Sequence, residues 1–262
     1  MTAPAIEVAD ASRIYEGTRG HVVALNDVSL TVPTGRFVSI IGPSGCGKST
    51  LLRLIAGLEV PDSGTVTIGG RRPSEAAATK SLGFVPQSPA LLPWRSVLAN
   101  VTLPGKVNRR GNQGRVKPDP MALLDKVGLR AAAHRMPHEL SGGMQQRAAI
   151  ARAFALAPEV LVMDEPFAAL DEFTREVLQQ HLLDLWNEIG ATVVFVTHNI
   201  TEAVRLSDTV VVMAGNPGRI TDTIDIDLVR PRSADVIETP EFHDYELRLR
   251  ALLHRSLSGD SA

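Results

Sequence analysis

Cysteine is almost absent from this chain: Cys46 stands alone among 262 residues. No internal disulfide framework can form, and a zinc site built from several cysteines is excluded. Aromatic residues are scarce at 4%, with two tryptophans and two tyrosines, so each of them merits individual scrutiny. Net charge is also missing, at -2. A near-neutral chain does not coat nucleic acid or sit on anionic lipid by bulk electrostatics. No apolar run approaches the roughly 18 residues that a membrane-spanning helix needs. The opening MTAPAIEVAD carries acids and no basic residue ahead of an apolar core, which is not the pattern of a secretory signal. These absences lead us to expect a soluble, cytoplasmic protein.

What is present is ordinary globular material, 44% hydrophobic and 21% charged, which argues against global disorder. The length suits one large domain or two small ones, and such a chain buries roughly 70–75% of its unfolded surface. IEVADASRIY and HVVALNDVSLTV predict β-strands near the start. Phe37 to Ile41 predicts a further strand running into a glycine-rich turn and then a helix. PDSG at 61–64 and IGGRRP at 68–73 are turn signals, and LGFVP is a short strand. From about 88 to 157 the character changes to proline-rich loop and helix, including MALLDKVGL and GMQQRAAIARAFAL, which predicts an inserted helical subdomain. Strands then resume in EVLVMDEP, ATVVFVTH and DTVVVMAG, separated by helical runs such as EFTREVLQQHLLDLWNEIG. This alternation predicts an α/β fold with a mostly parallel sheet flanked by helices. VLVM and VVFV are apolar on both faces, as doubly covered parallel strands require. One domain is expected over 1–230 and a C-terminal helical tail over 231–262. In the tail, Thr239, Pro240 and Glu241 form a helix start. Phe242, Tyr245, Leu249, Leu252 and Leu253 then share one face, expected to pack on the chain's own core.

The most specific signal is Gly42-Pro43-Ser44-Gly45-Cys46-Gly47-Lys48-Ser49, a complete GxxxxGK[ST] between a strand and a helix. Phosphate oxygens need closely spaced backbone N–H donors, which glycines allow to approach, and the following helix offers its positive N-terminal end. Lys48 adds charge for the β- and γ-phosphates, and the Ser49 hydroxyl is suited to Mg²⁺. A thiol at a helix N-terminus beside a lysine would acquire a lowered pKa; the plainer reading of Cys46 is a spacer that contributes its main-chain N–H. Ligands of open α/β sheets bind at the carboxyl ends of strands. There the sequence places Gln87, Asp164, Glu165 and His198. Asp164 suits Mg²⁺, Glu165 can take a proton from an attacking water, His198 can hydrogen-bond the γ-phosphate or that water, and Gln87 can reach Mg²⁺ or water. A second anion-seeking helix start lies at Ser141, Gly142 and Gly143. One cradle with two such helix ends is resolved by a two-fold dimer in which each Ser141 end faces the other chain's nucleotide.

Together these pieces resemble the ATP-binding subunit of an ABC transporter, over about residues 5–228. GPSGCGKST, closing on Thr50, matches Walker A; LSGGMQQR matches the signature motif; VLVMDEP matches Walker B. Gln87 in FVPQ matches the Q-loop, Ala169-Leu170-Asp171 resembles the D-loop, and His198 in VTHN matches the switch histidine. Tyr15 stands where the family keeps an aromatic that stacks on adenine. LLPWRSVLANV, NPGRI and the tail resemble the nitrate/sulfonate/taurine group of bacterial importers. The resemblance implies a RecA-like P-loop core with antiparallel N-terminal strands, ATP and Mg²⁺ as ligands, and a homodimer of ATPase subunits. It also implies two transmembrane permease subunits, with Leu91 to Val97 part of the surface that grips them, an indirect solute-binding protein, and a peripheral place on the cytoplasmic face of the inner membrane. Asn199 departs from the family's usual Asp, and GKVNRRGNQGRVKPDP is looser than the helix relatives show. Its Arg109, Arg110, Arg115 and Lys117 read as a solvated loop and not a nucleic-acid site. No long regulatory domain is expected beyond residue 228. An exporter's ATPase subunit and a soluble, non-transport ABC ATPase remain alternatives.

Overall fold

The computed structural model describes residues 5–17, 20–114, 118–168 and 170–258. Arg115 and Lys117 of the basic segment, and Ala169 of the D-loop, lie outside the described residues. The chain divides into two compact units, residues 1–74 with 192–262, and residues 75–191. The segment expected to be helical, about 88–157, lies inside the second unit, and the tail belongs to the first.

In the first unit, β1 (Ile6–Gly17) pairs antiparallel with β2 (Gly20–Val32) and with β4 (Ser63–Ile68). The turn signal at 61–64 is partly overridden: Ser63 pairs with Ser12 and already stands in β4, while Gly64 sits at the bulge beside it and keeps the left-handed φ of 78° that a turn glycine adopts. The remaining strands form a parallel group. β3 (Phe37–Ile41) runs parallel to β7 (Thr192–Val196) on one side and to β8 (Thr209–Ala214) on the other, and β9 (Arg219–Asp225) adds antiparallel to β8. All five residues of β3 and of β7 are buried, as strands covered on both faces must be. Phe37 and Phe195 meet with ring centroids 5.8 Å apart. The unit is completed by α1 (Lys48–Ile55), α8 (Ile200–Leu206) and α9 (Pro240–Ser258).

The second unit carries β5 (Leu82–Val85) parallel to β6 (Val160–Asp164). Its helices are α3 (Val97–Val101), α4 (Leu103–Lys106), α5 (Pro120–Lys126), α6 (Gly142–Phe154) and α7 (Glu172–Ile189). α2 (Pro73–Ala78) carries the division between the units. Asp171 starts α7 by accepting the Thr174 N–H, and Gly190 ends it in the left-handed conformation at φ 67°. No helix among the described residues is long and apolar enough to cross a membrane.

The C-terminal helix packs where its apolar face pointed. Phe242, Leu249 and Leu252 join Ile41, Val204, Val210 and Val212 in one buried cluster, with Tyr245 and Leu253 against its edge. A buried cation fastens the approach to that helix. The Arg232 guanidinium, 2% exposed, donates to the carbonyls of Val204 at 2.8 Å, Ser207 at 2.5 Å, Ile226 at 2.8 Å and Leu228 at 3.0 Å. It therefore satisfies orphan carbonyls at the end of α8. Burial, with the nearby Arg230 charge, pulls its pKa down to about 10, which leaves it cationic at neutral pH. Arg232→Met should leave those carbonyls without a donor and lower unfolding stability by about 2–4 kcal/mol. Urea unfolding at pH 7 measures the loss.

Candidate nucleotide site

Strand register explains how distant residues reach common levels. Ile40 pairs with Val196, so Gly42 and His198, each two residues further on, leave adjacent strand ends together. Val85 pairs with Met163, so Gln87 and Glu165 do the same in the second unit. There the Gln87 amide donates to Glu165 Oε2 at 3.2 Å.

The loop from Gly42 to Ser49 is shaped by steric exclusion. A Cβ at Gly42 would lie 2.5 Å from the Met213 carbonyl oxygen. Gly47 holds φ 96°, and a Cβ there would lie 2.7 Å from the Ala24 carbonyl oxygen; no other residue fits either place. Gly47 is also the N-cap of α1 and supplies no side-chain cap. A helix start without a side-chain cap is the kind that an anion can occupy. Lys48, 6% exposed, directs its ammonium back into the loop, onto the carbonyls of Gly42 at 2.8 Å and Pro43 at 2.9 Å. Cys46 is 1% exposed, its N–H donates to the Pro43 carbonyl at 3.3 Å, and Lys48 Nζ lies 3.8 Å from its sulfur. Burial pushes the thiol pKa up and outweighs the lowering by Lys48. An activated thiolate is therefore not what the loop builds. Ser49 and Thr50 follow on α1, with Thr50 buried, and Tyr15 Oη lies 3.4 Å from Thr50 Oγ1.

His198 is presented by burying its neighbours. Thr197, 2% exposed, donates its hydroxyl to Glu202 Oε2 at 2.6 Å, while Thr197 Oγ1 accepts the Asn199 N–H at 3.0 Å. Asn199 caps α8 by accepting the Glu202 N–H at 3.2 Å. Either Asn or Asp serves as such a cap, which accounts for the departure at this position. His198 itself is exposed.

In the second unit, Asp164 is buried at 7% exposure. Glu165 has φ 43°, the left-handed region where a β-carbon is strained. Strain of this kind costs about 1–3 kcal/mol and persists only where neighbours enforce it. The Ala168 N–H donates to the Glu165 carbonyl at 3.2 Å, which closes the turn tightly enough to do so. Ser141 caps α6, its Oγ accepting the Met144 N–H at 3.3 Å. Gly142 has open space where a Cβ would stand, whereas a Cβ at Gly143 would lie 2.9 Å from Leu170. The helix start therefore packs against the D-loop on one side and is bare on the other.

Three positioning residues had no signal in the sequence. Gln146, 3% exposed, donates to the Pro86 carbonyl at 3.5 Å. Arg152 donates to the Pro89 and Ala90 carbonyls at 2.8 and 2.7 Å. α6 thus holds the backbone on both sides of Gln87. Buried Asn100 accepts the Leu92 N–H at 2.7 Å and donates to the Arg95 and Ser96 carbonyls at 2.9 and 3.1 Å. That ties the 92–96 loop into a rigid support for Trp94, which is 69% exposed. All three work through main-chain atoms, of another segment for Gln146 and Arg152 and of the preceding loop for Asn100, which no motif or periodicity reports.

A model of the ABC transporter family matches residues 25–168. The chain belongs to that family. An uncharacterised ABC transporter ATP-binding protein of Methanocaldococcus jannaschii is 44% identical, over 90% of this chain and 88% of that protein. A taurine import ATP-binding protein of Rhizobium johnstonii is 42% identical over 95% and 96% of the two chains. A nitrate import ATP-binding protein of Synechocystis sp. is 40% identical over 95% and 94%. Among solved structures, a dimeric ATP-binding cassette in a post-hydrolysis state with ADP and Pi is similar at TM-score 0.74 and 32% identity, covering 86% of this chain and 100% of that one. The α/β cassette fold, ATP binding and hydrolysis, and a dimeric habit go with membership, and the resemblance to the nitrate and taurine importer group holds at the level of whole chains.

The loop reading makes a direct demand on Lys48. Lys48→Ala should weaken ATP binding by at least about tenfold, since a charge-assisted contact of this kind is worth roughly 1.5–3 kcal/mol. Equilibrium titration with a fluorescent ATP analogue measures it, and unchanged affinity would refute the assignment.

Proposed function

We propose that this ABC transporter subunit powers uptake of a small solute bearing an oxyanion group, of the nitrate, sulfonate or taurine kind. It works as a homodimer on two membrane permease subunits at the cytoplasmic face, with a solute-binding protein as indirect partner. The observation that carries the importer reading is the near end-to-end match to nitrate and taurine import ATP-binding proteins. Trp94 supports it. An exposed aromatic on a loop braced by Asn100 is the usual form of an interface anchor. A depression of about 410 Å³ is lined by Ser96, at the end of the same loop, and by residues including Leu98, Thr102 and Met121.

In this reading ATP is bound by backbone N–H groups of the Gly42–Ser49 loop and by Lys48, with Tyr15 against the base. Mg²⁺ ordinarily takes much of its shell from phosphate and water oxygens. The Ser49 hydroxyl, the Gln87 amide oxygen and the Asp164 carboxylate are a donor set of suitable chemistry for the rest. No group of three or more His, Cys, Asp or Glu is gathered among the described residues, in keeping with a metal that arrives with its nucleotide. When bound, the metal neutralises charge on the phosphate oxygens. Glu165 takes the proton of the attacking water, and its strained backbone fixes the carboxylate while Gln87 bonds it. His198 donates to the γ-phosphate. Ser141, Gly142 and Gly143 contact the nucleotide of the partner subunit, which makes ATP the joint between two copies. Closure can be driven only by the tighter binding of ATP to the closed dimer. Since α6 holds the loop around Gln87 through Gln146 and Arg152, a change at Gln87 is passed to the segment that carries Trp94.

Glu165→Gln should retain ATP binding, lose about 10²–10⁴-fold in turnover and accumulate as an ATP-bound dimer on size exclusion; wild-type turnover would remove Glu165 from its role. Ser141→Arg should abolish hydrolysis while the monomer still binds ATP. Membranes carrying tagged Glu165→Gln with ATP and Mg²⁺ should yield a polytopic membrane protein as the co-purifying partner.

A further inference from the structure

The ring of Tyr15 is held more firmly than a strand aromatic needs. Its hydroxyl donates to Glu59 Oε2 at 2.7 Å. The same carboxylate accepts from Arg13 Nε at 3.1 Å, and its other oxygen lies 3.6 Å from Arg53. Arg13 then lies over one face of the Tyr15 ring, its guanidinium carbon 5.0 Å from the centroid. Asp62 fixes Arg13 through a 3.0 Å contact and also accepts the Ile14 N–H at 2.7 Å, pinning the strand beside Tyr15. Burial pushes the Glu59 carboxyl up, but Tyr15, Arg13 and Arg53 together outweigh it and hold the group below the ordinary carboxylate range. Glu59 is thus a charged acceptor at neutral pH.

Glu59 also has a fixed relation to the phosphate loop. It sits in the turn that closes α1, where the Leu58 and Glu59 N–H groups both donate to the Arg53 carbonyl, at 2.9 and 3.3 Å. The first turn of α1 carries Lys48, Ser49 and Thr50, and its last turn leads into the acceptor of the Tyr15 hydroxyl. One short helix therefore sets the spacing between phosphate donors and an aromatic ring that has one face occupied by a cation.

We propose that Glu59 is a positioning residue for nucleotide recognition: with Arg13 it locks the Tyr15 ring at a set distance from the phosphate loop and leaves one face for the base. The inference rests on the reading that Tyr15 stacks on adenine. A guanidinium over the far face draws ring electron density toward itself, which favours an electron-rich purine on the near face. Holding the ring rigid removes ordering entropy that would otherwise be lost on binding.

The test separates base from phosphate by using ATP and inorganic tripolyphosphate as competitors of a fluorescent nucleotide on the full chain. Glu59→Leu should weaken ATP about five- to tenfold, the scale of one net hydrogen bond lost indirectly through the ring, and leave tripolyphosphate unchanged. Tyr15→Phe, which removes only the hydroxyl, should reproduce most of that loss, and the double variant should lose little more than either alone. Glu59→Gln, still an acceptor, should recover part of it. Equal loss toward tripolyphosphate would overturn the proposal by making Glu59 a support of the loop, and so would Tyr15→Phe binding ATP like the parent. Should Glu59→Leu fail to fold, Tyr15→Phe with the two ligands decides alone. Tyr15→Ala binding ATP like the parent would instead overturn the stacking reading itself.

Discussion

A loop that binds phosphate through its backbone has little of its own to hold it in shape. Its own bonds are few, the Cys46 N–H on the Pro43 carbonyl and the Lys48 ammonium on the Gly42 and Pro43 carbonyls, so its shape depends also on what anchors its ends. Here the anchors are a strand buried on both faces and the helix that starts at Lys48. β3 is clamped between β7 and β8, and the carbonyls of Met213 and Ala24 crowd Gly42 and Gly47 so closely that no Cβ is admitted. The register that fixes β3 also sets the height of His198. The parallel core is thus a ruler for the chemistry at its upper edge.

Much of this was legible in the linear order of residues, for a physical reason. Strand, glycine loop and helix are contiguous in the chain, and each is specified by near neighbours: apolar runs for β3 and β7, GxxxxGK[ST] for the loop, Ser141 and Asp171 for helix starts. The face of α9 was legible too, since Phe242, Leu249 and Leu252 recur at helical spacing and do go inside. Gln146, Arg152, Asn100, Glu59 and Arg232 were not legible. Each is a polar side chain held by groups that no motif pairs with it, in a distant segment for all but Asn100, and most of those partners are carbonyls, which leave no mark on residue identity. The local turn rule was overridden where sheet pairing was stronger, as at Ser63 in β4.

At both strand ends that carry proposed catalytic groups, a neighbouring side chain takes the interior place. Thr197 and Glu202 are buried so that His198 is not. Glu165 stands on a left-handed turn, and Asp164 before it is enclosed. In both places a strand end is bent sharply and the adjacent side chain takes the interior position, which leaves the functional one little freedom to wander.

The grip of Arg152 on the loop after Gln87 touches only the carbonyls of Pro89 and Ala90, and Asn100 likewise takes main-chain atoms of Leu92, Arg95 and Ser96. Such contacts are blind to which side chains the loop displays. The outward residues of this segment can therefore be changed while the fastening beneath stays intact. If the proposed docking on a permease holds, the partner surface and the motor core can vary independently, because the loop's attachment reads only its backbone.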